Sequence, residues 1–118
     1  MNPVPTEISN FFLAMQAGKA GAANLESCFA EDATYSEPFT GAERHHKGRA
    51  EIMKAMAMGW DQPLPDMTIH IDRVDTEPGA VLVHWTCRSP GLPGGIGRGR
   101  NRFTLKNGLI ASLTTTLA

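Results

Sequence analysis

The chain has 118 residues, of which 42% are apolar and 19% are charged. This length is typical of one domain, and the apolar fraction is large enough for a packed core. A net charge of -1 disfavours nucleic acid and anionic membranes as partners, and no apolar run approaches the roughly 18 residues that span a bilayer. We therefore expect one domain over residues 1–118 that binds neither nucleic acid nor membrane.

The first half of the sequence has a helical period. Apolar residues recur three and four positions apart around Ile8, around Leu25 and around Ile52, which predicts three helices. The segment EDATYSE, residues 31–37, alternates apolar and polar side chains and predicts one short strand between the second and third helices. Residues 38–47 are polar and are predicted to form a loop.

The second half changes to a period of two. MTIHIDRVD and AVLVHWTCR flank the turn sequence TEPG, and RGRNRFTL and LIASLTTTL flank KNG. Each pair predicts a hairpin, so we expect four long antiparallel strands. Helices followed by a separate antiparallel sheet indicate an α+β domain.

The strand AVLVHWTCR has one apolar face. We expect this face to point inward, and its members are Val81, Val83, Trp85 and Cys87. The opposite face carries Leu82, His84, Thr86 and Arg88. Its mixture of apolar and polar groups is typical of a subunit interface, so we expect a homodimer through this outer face.

Asn101 is predicted to face inward beside Phe103. Side chains alternate along RGRNRF, so these two residues share a face opposite to three arginines, and three adjacent buried cations would repel one another. The following turn decides the pairing with the last strand. We favour a three-residue KNG loop, which sets Asn101 opposite Leu113, over a two-residue Asn-Gly turn, because it places the apolar residues together.

Glu37 is the second polar residue predicted to point inward. It shares a strand face with Tyr35, and Pro38 then ends the strand. A buried carboxylate is costly unless it is neutral, paired or needed for chemistry. In one interpretation Glu37 is a base in an apolar pocket, with a pKa raised above the usual ~4.3. In the other it only hydrogen-bonds loop backbone or a loop base such as Arg44 or His45, away from any cavity.

Three motifs in order resemble the nuclear transport factor 2-like superfamily, and within it the SnoaL-like cyclases and the ketosteroid isomerases. They are FAEDATYSEPF, HKGRAEI and the turn sequence NGLI. The resemblance covers nearly the whole chain, as a single SnoaL-like domain. It implies an α+β fold in which a cone-shaped, curved antiparallel sheet wraps around the N-terminal helices and encloses an apolar pocket.

The resemblance also implies roles for the two inward polar residues. In these isomerases an Asp before Pro is the general base, and Glu37 stands at that position; a protonated Asp donates to the oxyanion, and Asn101 stands at the matching position. The tyrosine that these isomerases carry on the first helix has no counterpart, because Leu13 stands there. The implied function is an isomerase or cyclase with a carboxylate base, and the alternative is a protein that only binds a small apolar molecule.

Other residues are expected to shape the pocket. Its predicted walls are Tyr35, Trp60, Val83, Trp85 and Phe103. His45 and His46, on the loop beside Glu37, are expected to carry protons or gate the mouth, or else to be plain polar loop residues.

The two cysteines, Cys28 and Cys87, bear on the cellular compartment. Both lie among apolar residues, so we expect free buried thiols in a reducing compartment, and hence a cytoplasmic protein. The N-terminus MNPVPTE has neither the basic nor the apolar region of a signal peptide. No His, Cys and carboxylate spacing resembles a metal site, and we expect no cofactor.

Overall fold

Helices come first along the chain and long strands follow, as the period of the sequence predicts. The computed structural model describes residues 4–61 and 63–118. The first half contains α1 (Thr6–Ala17), a short 3-10 helix (Gly18–Gly21), α2 (Ala22–Cys28), β1 (Phe29–Glu37), β2 (Arg44–Lys47) and α3 (Arg49–Met58). The second half contains β3 (Thr68–Glu77), β4 (Ala80–Arg88), a 3-10 turn (Pro93–Gly95), β5 (Ile96–Lys106) and β6 (Leu109–Leu117). The segment predicted as a polar loop thus includes strand β2.

All six strands belong to one curved sheet in the order β2-β1-β6-β5-β4-β3. The four long strands β3 to β6 pair antiparallel, as predicted, and β1 pairs antiparallel with β2. β1 and β6 pair in parallel, which makes the sheet mixed. The predicted α+β class, with a curved sheet and N-terminal helices, is confirmed.

The turn between β5 and β6 is shorter than predicted. Lys106 pairs with Leu109, so the loop consists of Asn107 and Gly108 alone. Their φ angles are 53° and 78°, which fits a type I′ turn, in which both central residues adopt positive φ. The predicted three-residue loop is therefore wrong, because Asn and Gly together satisfy the backbone conformation of the tighter turn.

A register shift close to this turn determines which side chains face inward. Beyond the shift, Phe103 pairs with Leu113 and Asn101 pairs with Thr115. The predicted pairing of Asn101 with Leu113 is wrong by two residues. A shift of two preserves the alternation of faces, so Asn101 and Phe103 are still buried together, and the arginines of β5 are still exposed.

The core lies between α1 and the inner face of the sheet. Phe11 of α1 is at its centre, and its ring meets those of Phe12, Phe29 and Phe103 edge-on, with centroids 5.2, 6.1 and 5.3 Å away. Edge-to-face contacts add to the energy of burial and fix the ring positions. This cluster closes one side of the space under the sheet and leaves the other side open for the site.

Candidate functional site

A cavity of ≈ 490 Å³ lies beside the aromatic cluster. We call it the aromatic cavity, and its walls include Phe11, Phe12, Met15, Tyr35, Ile69 and Trp85. The loop residues Leu64, Met67, Leu92 and Pro93 also line it. Cavities of this size and apolar character are typical sites for small molecules.

Asn101 brings a polar group into the aromatic cavity. Its Oδ1 accepts a hydrogen bond from Trp85 Nε1 at 3.1 Å and another from Thr115 Oγ1 at 2.8 Å. Among residues 4–61 and 63–118, no partner forms a hydrogen bond with Asn101 Nδ2. This nitrogen is also not fully buried, because within the same residues His84 Nε2 is the one fully buried side-chain nitrogen or oxygen that lacks a hydrogen bond. The Asn101 amide nitrogen therefore keeps contact with the cavity as a free donor.

Tyr35 places a second polar group at the wall of the cavity. Burial raises the pKa of its phenol above the ordinary value, and the charge of Glu37 raises it further, whereas Thr115 and Arg44 lower it. The net effect is a raised pKa, so Tyr35 stays protonated and neutral around pH 7. It therefore presents a neutral hydroxyl group at the cavity wall.

Glu37 is only 1% exposed, and its carboxylate is fully engaged. Oε1 accepts the backbone N–H of Phe39 at 2.9 Å, and Oε2 accepts Arg44 Nε at 2.9 Å and His46 Nε2 at 2.9 Å. Arg44 Nη2 lies 2.6 Å from the same oxygen. The β1–β2 pairing produces this cluster, because it sets Glu37 opposite Arg44. Since an ionised carboxylate can only accept, His46 Nε2 is the donor.

These contacts reverse the expected titration of Glu37. Burial raises its pKa, but hydrogen bonds from His46, the Phe39 backbone and Arg44, with the Arg44 charge, hold the pKa below its ordinary value. The expectation of a raised pKa is therefore wrong, because partners outweigh desolvation. The hydrogen bonds that the alternative names, to loop backbone and to Arg44, are present, with His46 in place of His45. The cavity-lining residues include Tyr35 and Phe39 but not Glu37.

The other residues expected at the site are divided between the cavity and its surroundings. Tyr35, Trp85 and Asn101 line the cavity together. The other predicted wall residues lie outside its lining: Val83 and Phe103 are fully buried, and Trp60 is half-buried against the core. Phe103 packs against the rings of Phe11 and Phe12 on α1, which themselves line the cavity.

The two loop histidines take different positions. His45 is on the outer face of β2, where its Nδ1 lies 2.7 Å from Ser36 Oγ and its Nε2 lies 3.3 Å from Glu43. His46 is on the inner face, bonded to Glu37, with its ring 5.7 Å from that of Tyr35. Neither histidine lines the cavity as described.

Thr115 is the site residue that sequence reasoning missed. It is 4% exposed and supplies one of the two donors to Asn101. The wrong register hid it, since that register placed Leu113 opposite Asn101. The dipeptide Asn107–Gly108 was only a partial signal. It favours the two-residue turn, but that turn alone would set Asn101 opposite Thr114, and the register shift between Thr104 and Leu105 is also needed to bring Thr115 opposite Asn101.

The remaining expectations concern metal ions, membrane-spanning helices and the two thiols. The described residues contain no group of three or more His, Cys, Asp or Glu side chains placed to hold a metal ion. None of the helices along residues 4–61 and 63–118 combines the length and apolar character needed to cross a bilayer. Cys28 is buried and free, and Cys87 is half-buried and free at the cavity wall.

Comparison with known proteins identifies the family. The SnoaL-like domain family matches residues 8–113. The chain belongs to this family. No curated protein is significantly similar to this chain in sequence. The predicted membership of the nuclear transport factor 2-like superfamily is confirmed, since the solved structures of similar fold include proteins of that kind.

Three solved structures illustrate the similarity of fold. A proposed polyketide cyclase from Sinorhizobium meliloti is 20% identical, with a TM-score of 0.78 and coverage of 96% of this chain and 95% of its own. A proposed SnoaL-like polyketide cyclase from Jannaschia is 13% identical, with a TM-score of 0.76 and coverage of 99% and 90%. A ketosteroid isomerase-like protein from Catenulispora acidiphila, in complex with trimethylamine, is 17% identical, with a TM-score of 0.75 and coverage of 97% and 86%. At these identities the likeness concerns the fold alone.

The contacts of Glu37 predict a specific loss of stability on acidification. Because its pKa is lower in the folded chain than the unfolded ~4.3, its contribution is complete above that value and is lost as pH falls through the folded pKa. Glu37→Gln should lower the free energy of unfolding by about 1–3 kcal/mol at pH 7, and should flatten its decline below about pH 4.5. Denaturant titrations at a series of pH values measure both effects.

Glu43→Gln is the matched control for this prediction. Glu43 is exposed and lies 3.3 Å from the exposed His45, so its replacement should change the free energy of unfolding by less than about 0.5 kcal/mol. If Glu37→Gln has no larger effect than Glu43→Gln, the carboxylate does not stabilise the fold through these partners.

Proposed function

We propose that the chain binds a small, mostly apolar molecule in the aromatic cavity and holds one polar atom of it with the Asn101 amide. The observation that carries this proposal is a free amide N–H2 in a cavity walled by aromatic and aliphatic side chains. Apolar walls supply binding energy, and one placed polar group fixes orientation. The donor role that the family resemblance implies for Asn101 agrees with this proposal.

The two cysteines permit a test that needs no knowledge of the natural ligand. Cys87 lines the cavity, whereas Cys28 lies in a groove between α1 and α2. In a Cys28→Ser variant, saturating 1-tetralone should slow alkylation of Cys87 by iodoacetamide about tenfold at about ten times the dissociation constant. The reaction is followed by mass spectrometry at pH 8.5, because burial raises the pKa of both thiols.

Cys87→Ser, which leaves Cys28 as the single thiol, is the control. Its alkylation rate should not respond to 1-tetralone. Equal rates with and without the ketone at Cys87 would contradict binding in the aromatic cavity. Organic extraction and mass spectrometry of the purified protein would complement the assay by identifying a molecule carried from the host.

Catalysis by Glu37 is the second candidate, as isomerase or cyclase chemistry with general acid-base catalysis. The observation that favours it is position: Glu37 is buried, and Tyr35 and Phe39 on either side of it along the chain both line the cavity. Asn101 would then stabilise an enolate oxygen. Glu37 would first have to leave Arg44 and His46, and its lowered pKa weakens it as a base. Binding is for this reason the preferred function.

Proton exchange separates the two candidates. If Glu37 is a base, the protein should accelerate the exchange of the protons next to the carbonyl of 2-tetralone in D₂O. Glu37→Gln should lower that acceleration by roughly 100- to 10,000-fold while binding changes little, and Asn101→Leu should lower it by roughly 10- to 1000-fold. NMR measures exchange, with Glu43→Gln as control. Exchange no faster than in buffer would exclude the catalytic candidate for ketones of this class.

We also propose that the chain forms a homodimer through the outer face of β3 to β6. Leu82, His84 and Thr86 are at the middle of this face on β4, opposite three arginines of β5 on one side and opposite Asp75, Arg73 and His70 of β3 on the other. The face therefore mixes apolar, acidic and basic side chains. This mixture supports the proposal, because it is typical of a subunit interface.

Light scattering at micromolar concentration tests the dimer. We expect a mass about twice the 12.7 kDa of the chain. Leu82→Arg should give the monomer mass by placing an unpaired charge at the interface. Leu13→Arg, on an exposed side chain of α1, is the matched control and should leave the dimer intact. A monomer mass for the unmodified chain would overturn the proposal.

A further inference from the structure

We infer that the Asn101 amide is locked in a single orientation by Trp85 and Thr115, so that the cavity selects ligands whose polar atom accepts a hydrogen bond. This inference rests on the proposed binding function and names the ligand class of the same site. Gly99 and Thr115 are its positioning residues, since they act on the ligand through Asn101.

The first part of the lock is the indole of Trp85. Its Nε1–H can only donate, so the group of Asn101 that faces it at 3.1 Å has to be the carbonyl oxygen. Turning the amide over would bring its N–H2 against the indole N–H, with two donors facing each other. A side chain that is 5% exposed has little water to relieve that conflict.

The second part of the lock is the hydroxyl of Thr115. It donates to the same Asn101 oxygen at 2.8 Å, and Thr115 is the cross-strand partner of Asn101. Because Trp85 Nε1 and Thr115 Oγ1 both donate to it, both lone-pair positions of the amide oxygen are filled.

Gly99 makes the position of Trp85 possible. The two residues are cross-strand partners on β5 and β4, and Gly99 is buried. A Cβ atom at residue 99 would overlap the Trp85 ring and would lie 2.8 Å from the backbone oxygen of Thr116. Because only glycine leaves this space open, the indole can lie across β5 with its N–H directed at Asn101, two residues further along the strand.

The ligand class follows from the group that the lock leaves free. With its oxygen occupied by two donors, Asn101 can offer a ligand only its N–H2. The fitting ligand is an apolar molecule with a carbonyl or comparable oxygen acceptor at one end. A hydrocarbon of the same shape leaves the N–H2 unpaired in an apolar site, which a cavity built this way disfavours.

Two matched probes test the inference on the full chain. 1-Tetralone carries a ketone oxygen, and 1-methylenetetralin has a CH2 group in its place. Dissociation constants are measured by ligand-observed NMR titration. We expect the ketone to bind about 10- to 100-fold more tightly than the hydrocarbon, which is the effect of one buried donor left unpaired. Asn101→Leu should abolish or reverse this ratio.

The positioning residues are tested through the same ratio. Thr115→Val and Gly99→Ala should each lower the ratio, because one of the two donors to the amide oxygen is lost while the other remains. The double variant should bring the two dissociation constants to within about threefold of each other, because neither donor then holds the amide. Thr115→Ser keeps the hydroxyl and should restore the preference for the ketone. The controls are Thr114→Val, on the opposite face of β6, and Gly59→Ala, where a Cβ atom makes only ordinary contact.

Each result has one meaning. A ketone preference that is unchanged in both single variants and in the double variant overturns the lock, and if variants with Gly99→Ala do not fold, a lower ratio in Thr115→Val that Thr115→Ser restores carries the test. Equal binding of both probes by the unmodified chain overturns the inference and the role of Asn101, but leaves binding of an apolar molecule in the aromatic cavity intact. If neither probe binds and neither protects Cys87, the proposed function fails together with the inference.

Discussion

The alternation of side chains on β5 and β6 is the constraint on which the candidate site depends. A strand that slips by one residue exchanges its inner and outer faces, so the pairing of these two strands decides whether Asn101 or an arginine points into the cavity. The type I′ turn at Asn107 and Gly108 and the register shift after it fix that pairing together. The Thr115 hydroxyl reaches Asn101 only in this register.

Two polar side chains are buried on the inner face of the sheet, and they differ in how completely they are hydrogen-bonded. Asn101 keeps half of its hydrogen-bonding capacity unused, beside a cavity, whereas Glu37 has each carboxylate oxygen occupied. An unpaired group at a cavity is available to a ligand, and a fully paired group is a structural element by default. This contrast explains why we assign binding to Asn101 and place catalysis by Glu37 second.

Family membership does not determine the activity of the chain. The SnoaL-like domain family and the neighbouring folds include proposed cyclases and isomerases, and such a fold supports many functions by changes of a few side chains in one cavity. In this chain Leu13, which the resemblance sets at the position of the isomerase tyrosine, is exposed, and Asn101, which it sets at the position of the protonated acid, is an amide. The geometry of Asn101, Trp85 and Thr115 therefore carries more information about the ligand than the family does.

The sequence by itself determined the α+β class, the four antiparallel strands and the inward direction of Glu37 and Asn101, because hydrophobic period and residue alternation are local properties. Only the tertiary structure decided the parallel pairing of β1 with β6, the partners of Glu37 and the role of Thr115. Those depend on which distant segments meet. Glu37 illustrates this dependence on distant segments. The alternation of residues along the strand predicts that Glu37 is buried. The direction of its pKa shift, however, depends on Arg44 and His46, which the β1–β2 pairing brings to the carboxylate.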